Sequence, residues 1–268
     1  MKRVVFEQLR RLTEFDVDVR EVHEKSSKIN IVNLKENESV EIPAWDFQTH
    51  IAVLEGRVAI IIEDKEEIFQ RGCLASILPM QKITVKSLET SRLLMVRDDP
   101  LWVLRERRSV RKYASVPVSK EIIEKILDFS RFAPSAGNLQ PWRIYLINDE
   151  KLKRELAEAS FGQDHVAEAS WVVVITMVPE ESASKYGDRG RHLYSIQDTA
   201  ALALYIMLTS KAYGLDTCWV GAFDNDRVWK IIGSPSGERP VVIIPIGYGE
   251  EFPETPYRKS LGRILREI

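Results

Sequence analysis

Two short stretches of the chain gather side chains suited to holding an anion and a flat polar ring. The first, RERRSVRKY (105–113), sets five arginine or lysine residues around Ser109. Arginine presents a planar fork of donors that matches a phosphate, and a serine hydroxyl adds a short donor beside it. A charge run that simply faces water has the same composition, so the run alone does not decide between the two. The second, RFAPSAGNLQPWRIY (131–145), holds Pro134 and Pro141, which restrict the chain, and Gly137, which opens backbone conformations closed to other residues. Ser135, Asn138 and Gln140 add hydroxyl and amide groups to the same loop. A plain turn needs less than this. A heteroaromatic ligand with donors and acceptors along its edge would use all of it, although a connector satisfied by its own hydrogen bonds has the same residues.

Positioning these residues requires regular elements around them. KEIIEKILDFSRFA (120–133) spaces Ile122, Ile123, Ile126, Leu127 and Phe129 as on a helix behind Ser119, a candidate N-cap. Trp142–Ile147 and Trp171–Val178 predict strands, and RPVVIIPIGYG a buried one. HLYSIQDTAALALYIMLTSKAYG (192–214) predicts a long helix that stops at Gly214, with Ala200, Ala201 and Ala203 leaving a low-relief face, and DNDRVWKIIG predicts another with an aspartate cap. Residues 29–97 differ in texture: short β-rich runs such as HIAVLEG, RVAIIIE and ITVKSL, separated by turn signals, predict an all-β sandwich or small barrel. Ahead of them, VVFEQLRRLTEF has helical spacing and DVDVREV alternates like a strand. The expected division is a β-domain over 1–98 and an α+β domain over 99–268.

Four motifs then follow in order: RRSVRKY, APSAGNLQPWRIY, the long helix leading into GLDTCWVGAFD (214–224), and PYRKSL (256–261). Together they resemble the flavin-dependent nitroreductase family over about residues 101–268. The resemblance implies an α+β homodimer that binds FMN at the subunit interface and passes electrons from NADH or NADPH to a second substrate. It assigns Arg107, Arg108, Ser109 and Arg111 to N-terminal flavin contacts, and Pro134, Ser135, Asn138 and Gln140 to the loop beside the ring, with Asn138 the expected direct contact. Gly221 and Ala222 fall where the family brings backbone to the reactive edge of the ring, and Arg258 and Lys259 at its C-terminal phosphate position. Some members place a glutamate where this chain has Ala222. Cations from two distant segments can hold the FMN phosphate without a glycine-rich phosphate loop, which the sequence lacks. No side-chain nucleophile is required, because the cofactor carries the chemistry.

THIAVLEGRVAIIIEDKEEIFQRGCLASILP (49–79) resembles a single-motif cupin. Cupin metal sites use several histidines and a carboxylate, whereas His50 stands alone and Met80, Gln81 and Lys82 occupy the place of a second histidine, so no metal is expected. His165 and His192 lack pair spacing as well. Cys218 is expected to be buried and inert, Trp142 and Trp171 to lie in the core, and Asp198 either to pair with an arginine at a subunit interface or to face water. The formal net charge of -2 gives no bulk attraction to nucleic acid or anionic membrane, and two cysteines are too few for a disulfide framework. No stretch is apolar enough to span a membrane, and a cytoplasmic location is expected. The leading expectation is an FMN-dependent NAD(P)H oxidoreductase working by ping-pong transfer to a nitroaromatic, quinone or similar acceptor. Its rivals are a specialised flavin protein of the same fold, dehalogenase-like or flavin-consuming, and a ligand-sensing protein.

Overall fold

The computed structural model describes residues 2–5 and 27–268, with side chains from residue 30 onward except at position 98. The helical spacing of VVFEQLRRLTEF falls mostly, and the alternation of DVDVREV wholly, outside the described residues. The chain divides into two compact units, Met1–Arg105 and Glu106–Ile268.

The first unit holds β1 (Lys2–Val5), β2 (Ser27–Leu34), β3 (Ser39–Ile42), β4 (Thr49–Glu55), β5 (Arg57–Ile62), β6 (Lys65–Gln70), β7 (Cys73–Ile77), β8 (Ile83–Ser87) and β9 (Ser91–Asp98). They form a five-stranded sheet of order β1-β7-β4-β9-β2 and a four-stranded sheet of order β3-β8-β5-β6. Every second residue of β7 and β8 is buried, as a strand with one covered face requires. Ile51 and Val53 of the first sheet share a core with Val58, Ile60, Phe69 and Val85 of the second. The chain changes sheets between β4 and β5 at Gly56, whose φ of 77° and close approach to Thr90 O and Ser91 exclude a side chain. The expected barrel is corrected by this topology: no strand pairing joins the two sheets among the described residues, so the barrel does not close.

The second unit is an antiparallel sheet of order β10-β11-β13-β12, built of β10 (Trp142–Ile147), β11 (Trp171–Met177), β12 (Asp216–Thr217) and β13 (Arg239–Gly247). Its helices are α2 (Lys120–Ser130), α3 (Glu150–Ala159), α4 (His165–Glu168), α5 (Pro179–Arg189), α6 (Ser195–Ala212), α7 (Asn225–Ile231) and α8 (Leu261–Ile264), after a short α1 (Trp102–Glu106). Both faces of the sheet are covered. Trp171, Val173 and Ile175 point into a core with Ile123 and Ile126 of α2 and Leu202 and Ile206 of α6. Val172 and Val174 point the other way, onto Leu156 of α3, Val166 of α4 and Val228 of α7. Burial on both faces is why WVVVIT reads as an unbroken apolar run. The expected helix caps hold in part: Asp224 accepts from Arg227 N, 3.0 Å away, whereas Ser119 has extended backbone and no side-chain cap bond. Among the described residues no helix is long and apolar enough to cross a membrane.

Candidate functional site

The arginine run lies along the edge of the second sheet. Ser109 forms a parallel bridge with Thr217, and Val110 N donates to Thr217 O at 3.1 Å. Tyr113 pairs with Gly249, and Ala114 N donates to Tyr248 O at 2.8 Å. The buried Tyr113 hydroxyl donates to Val110 O at 3.0 Å, and burial pushes its pKa well above the ordinary phenol value. These bonds stitch residues 109–114 to β12 and to the chain that leaves β13. The stitching continues outward, because Arg111 N donates to Glu251 Oε1 at 2.6 Å and the Arg108 guanidinium donates to the Thr255 hydroxyl.

One consequence is that Arg258 comes beside Arg107, across about 150 residues of sequence. Burial first, then the charges of Arg258 and Arg108, push the Arg107 guanidinium below its ordinary value. Neither Arg107 nor Arg258 has a carboxylate partner among the described residues. Two cations that repel each other, one of them half-buried, form a place that an anion would relieve. The structure therefore brings together Arg107, Arg108, Ser109 and Arg258, with Lys259 next along an exposed segment.

The Gly221–Ala222 segment follows the end of β12 after three intervening residues. Val220 exchanges two backbone bonds with Ile243 of β13, 2.9 and 3.0 Å long, and the two residues after it are exposed. Gln163 pins the segment by donating Nε2 to Ala222 O at 3.1 Å and to Ser160 O at 2.9 Å. Cys218, beneath this segment, is buried, and burial raises its thiol pKa against the opposing pull of Arg111, the Ser109 hydroxyl and Arg107. Its burial matches the expectation.

The loop Pro134–Gln140 is tied to a different set of elements. Gly137, Asn138 and Gln140 all take positive φ, near 57°, 57° and 52°. Such a backbone persists only when its surroundings fix it. Ser135 Oγ accepts from Gln140 N at 3.0 Å, and Asp198 of α6 accepts from Ala136 N at 3.0 Å. A Cβ on Gly137 would lie 2.6 Å from the Tyr186 hydroxyl and 2.9 Å from Lys185 Nζ, so α5 rests directly on the loop. The expectation that Asp198 faces water is corrected: it is buried on the loop's backbone, and its Oδ2 has no partner among the described residues. Its place in the first turn of α6, turned toward the sheet, put it there.

Gln163, Glu251, Thr255 and Tyr186 support the site without having been singled out in the sequence; ordinary polar residues far apart in the chain carry no signal of their meeting. Trp142 and Trp171 are in the core, with Trp171 Nε1 donating to Val118 O at 2.8 Å. In the first unit, His50 Nδ1 and Ser76 Oγ are 2.9 Å apart across β4 and β7. No group of three or more His, Cys, Asp or Glu able to hold a metal occurs among the described residues. Two clefts of roughly 500 and 640 Å³ open in the second unit, one lined by Ser115, Lys153 and Ser170, the other by Met177, Trp229 and Glu238. Neither is lined by Arg107, Arg258, the Pro134–Gln140 loop or Gly221.

The sequence profile of the Nitroreductase family matches residues 104–163 and 160–248. A protein named NADH dehydrogenase from Thermus thermophilus is 32% identical over 187 residues, covering 60% of this chain and 91% of its own. A protein from Archaeoglobus fulgidus assigned as an NADH dehydrogenase/NAD(P)H nitroreductase is 30% identical over 178 residues, covering 63% of this chain and 98% of its own. Among solved structures, one from Exiguobacterium sibiricum, assigned as a nitroreductase and in complex with FMN, is 25% identical with a TM-score of 0.56, covering 64% of this chain and 98% of its own.

Proposed function

The chain belongs to the nitroreductase family, and from that footing we propose that it is an FMN-dependent oxidoreductase taking electrons from NADH or NADPH and delivering them to a nitroaromatic, quinone or similar small acceptor. The convergence of Arg107 and Arg258 carries the reading: two cations from opposite ends of the domain, close enough that each feels the other's charge and without a carboxylate partner among the described residues, would suit the phosphate of a flavin mononucleotide. Arg108, Ser109, Arg111 and Lys259 flank that point. FMN, when bound, supplies the hydride and electron transfer chemistry.

The remaining work belongs to the chain. The arginines hold the phosphate and so set where the ring must lie. The exposed backbone at Gly221 and Ala222, fixed by Gln163, offers amides to the ring edge, where they would favour negative charge on the reduced ring. Ser135, Asn138 and Gln140 offer donors and acceptors from a fixed loop. Within one subunit that loop is bonded to α5 and α6 rather than to the arginine run. This supports a homodimeric site in which one copy supplies the arginines and the Gly221 segment and its partner supplies the loop. Turnover would be ping-pong, in which the donor leaves before the acceptor enters the same face of the bound flavin.

The test begins with the visible spectrum of the purified protein and identification of the flavin released on denaturation. FMN is expected. Arg107→Ala and Arg258→Ala should each weaken FMN binding on the order of 10–100-fold, the range for hydrogen bonds to charged groups. A protein that neither contains nor takes up FMN, or equal flavin affinity in both variants and the native chain, overturns the reading.

A further inference from the structure

The segment over the Gly137 loop holds two cations, Lys185 and Arg189, that its acids do not reach. Three acids lie on α5, and each is engaged by another arginine. Glu180 accepts from Arg191 at 2.8 and 2.9 Å, Asp188 from the same Arg191 at 2.5 Å, and Glu181 from Arg143. Lys185 and Arg189 are left without a carboxylate among the described residues.

Both cations are held in place by rings. Lys185 Nζ sits 5.5 Å from the centroid of Tyr186, and the Arg189 guanidinium 5.3 Å from that of Tyr194, to whose hydroxyl its Nε donates at 2.9 Å. The two rings meet edge to face, 5.2 Å apart at 82°. The backbone produces this row. Gly187, with φ 56° and ψ -140°, interrupts α5 just after Tyr186, and a π-helical turn over Gly190–Tyr194 brings Tyr194 back against it. At Gly190 the turn closes so tightly that a Cβ would lie 2.4 Å from Ser182 O. The row is therefore a built arrangement of cation, ring, ring and cation, and its first members touch Gly137.

We propose that Lys185 and Arg189 form an outer anion subsite for the phosphates on the adenosine half of the nicotinamide dinucleotide, and that they favour the donor bearing the additional 2′-phosphate. The inference rests on the oxidoreductase reading above and extends it. A nicotinamide placed on the ring site beside the loop trails a pyrophosphate, a ribose and an adenine beyond it. Cations already immobilised on ring faces lose less freedom on gripping a phosphate than free lysine and arginine side chains do. The chain has no glycine-rich dinucleotide loop to take on this role.

Steady-state kinetics with NADPH, NADH and reduced nicotinamide mononucleotide, which lacks the adenosine half, test it in the full FMN-loaded protein. In the Lys185→Ala/Arg189→Ala double variant the KM for NADPH should rise on the order of 10–100-fold, the scale of charge-assisted hydrogen bonds. The KM for NADH should rise less, that for the mononucleotide should stay put, and kcat should hold. Lys185→Arg/Arg189→Lys, which keeps both charges, should recover most of the NADPH affinity. Raising the salt concentration should erode the native preference for NADPH. Unmoved KM values for both dinucleotides, or an equal rise with the mononucleotide, overturn the subsite and leave the oxidoreductase reading standing. Native FMN-loaded protein reduced by dithionite but by neither dinucleotide overturns both.

Discussion

Asp198 keeps a carboxyl where little favours its charge. Its Oδ1 accepts from Ala136 N, its Oδ2 is enclosed without a partner among the described residues, and burial raises its pKa against the pull of that one N–H. A folded-state pKa above the unfolded one means that the folded chain binds the proton more tightly. The associated stability is fully present below the unfolded pKa and is lost as pH rises through the folded value. Asp198→Asn keeps an acceptor for Ala136 and carries no charge. Denaturant unfolding at pH 4 and pH 7 should show the Asn variant gaining on the native protein as pH rises, while Asp198→Ala should be weaker at both by about 1–3 kcal/mol, the cost of an unpaired buried donor. Parallel pH dependences for the native and Asn proteins would contradict this account. None of it was legible in the sequence, where Asp198 is one acid in an alanine-rich helix and Ala136 stands 62 residues away. Arg107 and Ser109, by contrast, were legible as a group because they are neighbours in the chain.

At the level of elements, what the sequence conveys depends on whether the controlling interactions are periodic. The one-faced burial of β7 and β8 shows as alternation and the two-faced burial of β11 as an unbroken apolar run, so the strands could be read directly. Closure of the first unit could not, because it depends on which edge strands pair. The π-helical turn before α6 was likewise hidden inside a pattern that reads as continuous helix from 192 onward, since only the backbone at Gly187 and Gly190 announces it. Gly137 allows a clean separation of local strain from function. Gly137→Ala and Gly214→Ala both place a side chain at positive φ, near 57° and 75°, and each should cost about 1 kcal/mol in stability. Gly214 has open space around its missing Cβ, whereas Gly137 faces the tips of Tyr186 and Lys185. Those tips can swing away, so the two variants should melt alike, but only Gly137→Ala should raise the KM for NADPH. A kinetic effect of the same size in Gly214→Ala would show that the row and the loop are not coupled.

Across the whole molecule, the second unit leaves uncovered the surface that a shared site would need. Helix α6 is apolar nearly all round: Leu202, Ile206 and Met207 are buried against the sheet, yet Ile196, Leu204 and Tyr205 on its other side are exposed. The C-terminal segment adds Phe252, Tyr257, Leu261 and Ile264, all of them more than 60% exposed. Scattered apolar residues on a surface need no explanation, but a helix face and a trailing segment of them on the domain that carries the proposed flavin residues suit an interface with a second copy. We therefore expect a stable homodimer with an interface of about 2,000 Å² or more, the size of obligate associations. Light scattering at micromolar concentration reads the state directly. Leu204→Glu, which sets a charge in the middle of the exposed face of α6, should shift the protein toward monomer and lower its FMN content together, because the arginine run and the Asn138 loop then belong to separated molecules. A monomeric Leu204→Glu protein that kept its full complement of FMN would show instead that each subunit completes its own site.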